Sequence, residues 1–287
     1  MRVVPGAPHP MLGATLESKL RTMRRIIRDM ESVVVAFSGG VDSSLVLKVS
    51  HDELADRAIA VTAVSATLPE RELELCRLLA EEIGAAHRVV ETDQLQITDF
   101  VRNDATRCYH CKTDLYQLLG KIREEYAGGA IVDGVHVDDM GDDRPGITAA
   151  RERGVRSPLL EAALTKAEIR ELAKELKLSN WDKPAAACLS SRIPRGTPIT
   201  KESLRRVDRA EAFLADEGFR HVRVRDHGDI ARIEVSPDDL RILLTEGRRE
   251  KVSHALKQLG YRFVTVDLEG YRPGGVTLVP VALGQRL

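Results

Sequence analysis

The chain has 287 residues, and its 43 basic against 44 acidic residues leave a net charge of −1, which argues against bulk binding to nucleic acid or to a membrane surface. With 43% hydrophobic and 30% charged residues it reads as a soluble globular protein of two domains. No apolar run approaches the ~20 residues of a transmembrane helix, and the four cysteines are too few for a disulfide framework; in a reducing compartment they read as buried, catalytic or metal-bound.

Met1–Gly13 carries Pro and Gly but no apolar signal core, so a cytoplasmic location is the expectation. Leu16, Leu20, Met23, Ile27 and Met30 recur at helical spacing and predict an amphipathic helix over 14–30, with Arg21, Arg24, Arg25 and Arg28 on a solvated face. Val33–Phe37 is a strand. Ser38-Gly39-Gly40-Val41-Asp42-Ser43-Ser44 follows it and opens a helix. A strand, a tight glycine loop and a helix N-terminus make an anion site, because free backbone N–H groups and the helix dipole both face the ligand. The glycines let a phosphate approach closely. Ser38, Ser43 and Ser44 offer hydroxyls, and Asp42 is expected to cap the helix or to meet a nucleotide's metal. The loop is neither a Walker loop nor GxGxxG.

Ala58–Val64 reads as a parallel strand buried on both faces. A helix follows from Pro69 to about Gly84, with Cys76 on its inner stripe as a core cysteine. His87–Val90 is a third strand, Cys111–Tyr126 a helix and Gly129–Val135 a fourth strand. A polar loop from His136 to Gly146 follows, then helices over 147–153 and 165–177. Alternating strands and helices predict an α/β domain over 1–180 with a parallel sheet. Its ligand crevice should lie at the carboxyl ends of the strands. Residues 181–200, with their prolines, read as a linker and active-site loop. The remainder, 201–287, reads as a small α+β domain. It has a helix over Lys201–Glu217, a hairpin of His221–Asp226 and Ile230–Ser236, a helix from Pro237 to about Leu259 broken near Gly247, and a last strand over Tyr261–Leu268.

Two further groups carry chemistry. Cys108-Tyr-His-Cys111 stands at a helix start, where thiolates are favoured. Cys188 lies in an alanine-rich stretch, with Lys183, Arg192 and Arg195 expected to lower its pKa. Inert cysteines, a redox dithiol, a zinc site completed by His110 or Cys76, and a [4Fe–4S] cluster on three thiolates all remain open on spacing alone. In the strand after His221, Arg223 and Arg225 share one face. That row reads either as cross-strand ion pairing or as a guanidinium site for phosphate or carboxylate.

Ser38–Ser43 resembles the SGGxDS loop of the PP-loop ATP pyrophosphatases. Together with Arg107–Lys112, Asp133-Gly134, Asp138–Pro145, Ala187–Pro194 and Arg223–Glu234, it is similar to the LarE family within them. The resemblance implies ATP-dependent sulfur insertion into pyridinium-3,5-dicarboxylic acid mononucleotide for a nickel-pincer cofactor, by carboxylate adenylation and then thiocarboxylate formation. It implies ATP and Mg2+ as cofactors, with ATP and pyrophosphate at Ser38, Gly39, Gly40, Val41, Asp42, Ser43, Ala63, Gly134, Asp139 and Arg144. Substrate would meet Arg192, Glu211, Arg223 and Arg225. Asp42 and Cys188 would be catalytic. Some family members sacrifice the sulfur of the matching cysteine, leaving dehydroalanine. Others hold a [4Fe–4S] cluster on three cysteines, and Cys108, Cys111 and Cys188 put this chain with them. The resemblance also implies a homo-oligomer and a sulfide or sulfur-donor protein as partner, with no nucleic acid or membrane. The rival readings are a different PP-loop enzyme, such as an amidotransferase synthetase or a tRNA thiolase, the latter disfavoured by the near-neutral charge and the four-cysteine total, and a non-catalytic nucleotide or cluster carrier.

Overall fold

The structure is a computed structural model and describes residues 13–126, 129–141, 145–185 and 187–271. The chain divides into two compact units, residues 1–100 with 105–186, and residues 101–104 with 187–287. The stretch 181–200 is thus shared, its first residues with one unit and the rest with the other.

The first unit runs α1 (Ala14–Arg28), β1 (Val33–Ala36), α2 (Val41–Leu54), β2 (Ala58–Val64), α3 (Glu70–Ile83) and β3 (Ala86–Glu91). After the short α4 (Thr98–Val101) come α5 (Arg107–Glu125), β4 (Ala130–Val132), α6 (Pro145–Glu152), α7 (Pro158–Glu161) and α8 (Lys166–Glu175). The sheet is parallel, in the order β3-β2-β1-β4. This is the α/β sheet flanked by helices that the alternating pattern predicts. Successive side chains of β1 point to opposite faces. Val33 and Val35 join the core formed with α1, α2, α3 and α8, whereas Val34 joins Tyr116, Leu119 and Ile122 of α5. Both faces are covered, which is why β1 and β2 read as unbroken apolar runs.

Some boundaries and faces differ from expectation. α5 begins at Arg107, four residues before the expected Cys111, so both of its cysteines lie inside the helix. Arg24 is not on the solvated face of α1: it is 8% exposed and pairs with Glu53 of α2 at 3.5 Å.

In the second unit α9 (Lys201–Asp216) packs on a sheet of order β5-β6-β7, made of Arg223–His227, Ile230–Glu234 and Phe263–Val266. Thr200 begins α9 with a reciprocal capping box to Ser203. β5 and β6 pair antiparallel, and β6 pairs parallel with β7. The expected Pro237 helix is two, α10 (Pro237–Leu243) and α11 (Glu246–Gln258). The break falls at Thr245, the residue before α11, and Gly247 sits within the first turn of α11 rather than at the break. The core of this unit is Ala210, Leu214, Val222, Val224, Ala231, Ile233 and Leu256 with their neighbours.

Candidate functional site

In the first unit the sheet order fixes where a ligand can sit. The chain runs outward from β1 to β3 on one side and then returns to place β4 on the other. β1 and β4 therefore straddle the switch point, and the crevice outside their carboxyl ends is the ligand site of an open α/β sheet. The loop 37–40 leaves β1 there, and Gly134 leaves β4 there. A Cβ on Gly134 would stand 3.0 Å from the Ser43 nitrogen and 3.0 Å from the Asp42 Cβ, so only glycine lets the two loops meet.

The glycine loop is held from behind. Gly39 has φ +66°, and a Cβ there would meet Cys76 Sγ at 2.9 Å. Cys76 is fully buried, and that burial pushes its thiol up to about 11. It is the core cysteine that the α3 pattern predicts. The Thr62 hydroxyl donates to the Phe37 carbonyl at 2.9 Å, and His87 Nε2 lies 2.9 Å from the same oxygen of Thr62. The Thr62 proton being spent on Phe37, the His87 nitrogen is the donor. Burial and the Arg77 charge lower the His87 pKa, in keeping with that neutral ring. Asn180 Nδ2 donates to the Gly39 carbonyl at 3.1 Å, and Lys183 Nζ donates to it at 3.2 Å.

Ser38 is exposed, and its hydroxyl lies 3.2 Å from that of Ser43, which also donates to the Gly40 carbonyl at 3.1 Å. Val41 is buried and starts α2. Ser44 does not face the loop's mouth. It is fully buried, and its hydroxyl accepts from Asn180 at 2.9 Å. Asp42 does not cap α2: Gly40 holds the cap position, and the Asp42 carboxylate takes the Lys166 ammonium at 2.6 Å. His136 Nε2 is 3.8 Å from Asp42 and 3.6 Å from Asp139. Asp139 also accepts from the His136 backbone N–H at 3.1 Å. Asp133 is buried and bound to Ser157, Tyr116 and the Val135 backbone, which makes it a brace for the turn after β4. Ala63 is half-buried at the carboxyl end of β2, and Arg144 lies outside the described residues. Asn180, Lys166 and His136 escaped sequence reasoning, since no pattern marks a lone polar residue that serves a loop distant in the chain.

Cys108 and Cys111 stand one turn apart on one face of the first turns of α5, half-buried. Among the described residues, no group of His, Cys, Asp and Glu side chains large enough to hold a metal ion is assembled.

In the second unit Cys188 is exposed, at the cap of a 3-10 turn over Leu189–Arg192. Arg192 is 3% exposed, and it donates to the Ala187 and Cys188 carbonyls at 2.7 and 3.0 Å. Its other nitrogens form a bidentate pair with Glu211, both at 2.8 Å. Glu211 accepts also from the Val224 N–H at 3.0 Å. Burial works to lower Arg192, but the Glu211 hydrogen bonds and charge outweigh it and hold the guanidinium raised. Arg225 makes a buried bidentate pair with Glu234 and donates to the Ser191 carbonyl at 2.8 Å. The ion-pairing alternative therefore describes Arg225. Arg223 lies over the Tyr271 ring at 5.2 Å. Burial and the neighbouring Arg192 cation lower its pKa, a direction that an anion beside it would reverse.

The cations expected to act on Cys188 are partly engaged elsewhere. Lys183 belongs to the first unit, where it binds Gly39 and pairs with Glu72 at 2.5 Å. Arg195 donates to the Asp104 carbonyl. Of these three cations, Arg192 holds the Cys188 segment, through the Cys188 carbonyl.

The comparisons with known proteins agree with this geometry. The asparagine synthase family profile matches residues 18–122. An uncharacterised protein of Synechocystis is 42% identical over 92% of this chain and 98% of its own length. The pyridinium-3,5-bisthiocarboxylic acid mononucleotide synthase of Lactiplantibacillus plantarum is 40% identical over 91% of this chain and 94% of its own length. An uncharacterised protein of Methanocaldococcus jannaschii is 30% identical over 84% of this chain and 91% of its own. With a glycine loop at the switch point and relatives matched along nearly their whole length, the chain belongs to the LarE family of ATP-dependent sulfur transferases, within the PP-loop ATP pyrophosphatases.

Proposed function

We propose that this protein inserts sulfur into pyridinium-3,5-dicarboxylic acid mononucleotide at the expense of ATP. The observation that carries the reading is the glycine loop between β1 and α2, in a chain 40% identical to a synthase of the bisthiocarboxylic product. A substrate carboxylate oxygen attacks the α-phosphorus of ATP, and pyrophosphate leaves. A sulfur nucleophile then attacks the acyl carbon, and AMP leaves with the carboxylate oxygen. Ser38, Gly39, Gly40, Val41 and Ser43 are assigned to the departing pyrophosphate, with Ala63, Gly134 and Arg144 on the nucleotide. The hard oxygen donors Asp42 and Asp139 suit Mg2+, which would neutralise charge developing on the leaving pyrophosphate. Lys166 holds Asp42 in its place. Arg223, with Arg192, Glu211 and Arg225 around it, is assigned to the substrate's phosphate or second carboxylate.

For the sulfur, the donor set suits a [4Fe–4S] cluster on Cys108, Cys111 and Cys188. Two thiols share a helix N-terminus and the third is exposed. Bound there, the cluster would supply one iron free of protein thiolate, able to carry a sulfide. The exposure of Cys188 favours a second reading in which Cys188 gives up its own sulfur. A homo-oligomer in the cytoplasm, supplied by free sulfide or by a donor protein, completes the proposal; no described helix is long and apolar enough to cross a membrane.

The test is anaerobic. Protein, ATP, Mg2+, sulfide and the pyridinium substrate should yield a thiocarboxylate. About four irons per chain, lost in Cys188→Ala, would support the cluster. Iron-free protein that turns over once and loses one sulfur from Cys188 would establish the sacrificial route. No thiocarboxylate under either condition would overturn the function.

A further inference from the structure

The Gly39–Gly40 peptide has a setting that its role in anion binding alone does not explain. It contains no side chain, yet its carbonyl takes two donors from a distant stretch of the first unit, Asn180 Nδ2 at 3.1 Å and Lys183 Nζ at 3.2 Å. Asn180 is 5% exposed and its Oδ1 finds no hydrogen-bond partner. A buried acceptor without a partner is destabilising. The opposite amide orientation would set Oδ1 against the Gly39 carbonyl, so the amide is held for what its nitrogen donates. That nitrogen also reaches Ser44 at 2.9 Å. Lys183 is anchored in turn by Glu72 at 2.5 Å.

The consequence follows from the planarity of a trans peptide. The Gly39 C=O and the Gly40 N–H belong to one plane and point in opposite directions. Drawing the carbonyl inward therefore aims the Gly40 N–H outward, at the start of α2. A glycine at φ +66° turns its peptide easily. Without the two donors the carbonyl loses the side-chain hydrogen bonds that oppose such a rotation. We propose that Asn180 and Lys183 are positioning residues for pyrophosphate: their grip on the Gly39 carbonyl fixes the direction of the Gly40 N–H that the anion meets. The inference rests on the PP-loop reading for the identity of the anion only.

Inorganic pyrophosphate with Mg2+ is the probe, titrated by calorimetry into the full-length protein, with AMP titrated in parallel. Asn180→Asp keeps the shape and removes both N–H donations; Lys183→Met removes the ammonium. Each variant should weaken pyrophosphate binding by about tenfold, the worth of one lost hydrogen bond on the Gly39 carbonyl. AMP affinity should hold within about twofold, because AMP lacks the leaving phosphates. Lys183→Arg, which keeps a donor, should recover most of the loss. Should Asn180→Asp not fold, Lys183→Met and its arginine counterpart carry the test. Unchanged pyrophosphate affinity in a folded variant, a parallel loss of AMP affinity, or wild type that binds no pyrophosphate would overturn the proposal. Wild type that binds pyrophosphate but never forms a thiocarboxylate would sink the sulfur-transfer reading and leave this one standing.

Discussion

The anion sites proposed for the two units are built by opposite means. The first builds its site from backbone: N–H groups at the start of α2, glycines that admit close approach, and buried neighbours that hold the loop. The second builds from side chains, with Arg192 and Arg225 buried against Glu211 and Glu234 and Arg223 beside them. A backbone site carries partial charges and no desolvated ion, so its fragility is steric. A site of buried guanidiniums is stable only while each carboxylate partner stays, so its fragility is electrostatic. Substitutions should separate the two.

The largest effect belongs to the second unit. Glu211→Ala leaves Arg192 buried without its bidentate partner and should cost about 3–5 kcal/mol, read from chemical denaturation. If it costs no more than an exposed salt bridge, the contrast fails. Gly39→Ala comes next. It forces a side chain into the left-handed region and onto Cys76, and should lower pyrophosphate release on the order of 100-fold, as loss of one preorganised donor does. A wild-type rate would show that the loop tolerates a Cβ and that its fragility is not steric. Third, the Cys76 thiol ties the first unit to alkaline pH. Its folded pKa is about 11 against 9.0 for the free group. The unfolded chain thus releases the proton first. The stabilisation is complete below pH 9 and declines toward pH 11, by up to about 2–3 kcal/mol, and Cys76→Ser should flatten that decline. In the same protein a maleimide should label exposed Cys188 rapidly and Cys76 only on unfolding. The smallest effect is Thr200→Ala, which removes a capping box and should cost about 1 kcal/mol in thermal unfolding.

The sequence pattern and the structure agree most closely where burial is periodic. Val33–Ala36 and Ala58–Val61 are apolar because both faces of a parallel sheet are covered, and Leu204, Val207, Ala210 and Leu214 repeat at helical spacing because one face of α9 is buried. The glycine loop is legible because a close backbone approach admits so few residue types. Lys166, His136 and Asn180 are not, since each reaches Asp42 or Gly39 from far along the chain. The same holds for Lys183. Its place before Cys188 in the chain suggested a thiol partner, yet its ammonium is spent on Gly39 and Glu72. Arg24 shows the converse: a charge on an amphipathic helix is buried once Glu53 stands across from it.

In the proposed reaction ATP activates a substrate carboxylate by adenylation before sulfur arrives. The most direct measurement labels the carboxylate oxygens of the pyridinium substrate with heavy oxygen and analyses the AMP after turnover. Adenylation leaves one labelled oxygen in AMP for each sulfur inserted, with one pyrophosphate released. Unlabelled AMP beside a formed thiocarboxylate would contradict it, because the oxygen would then have left by a route that never joined it to the α-phosphate.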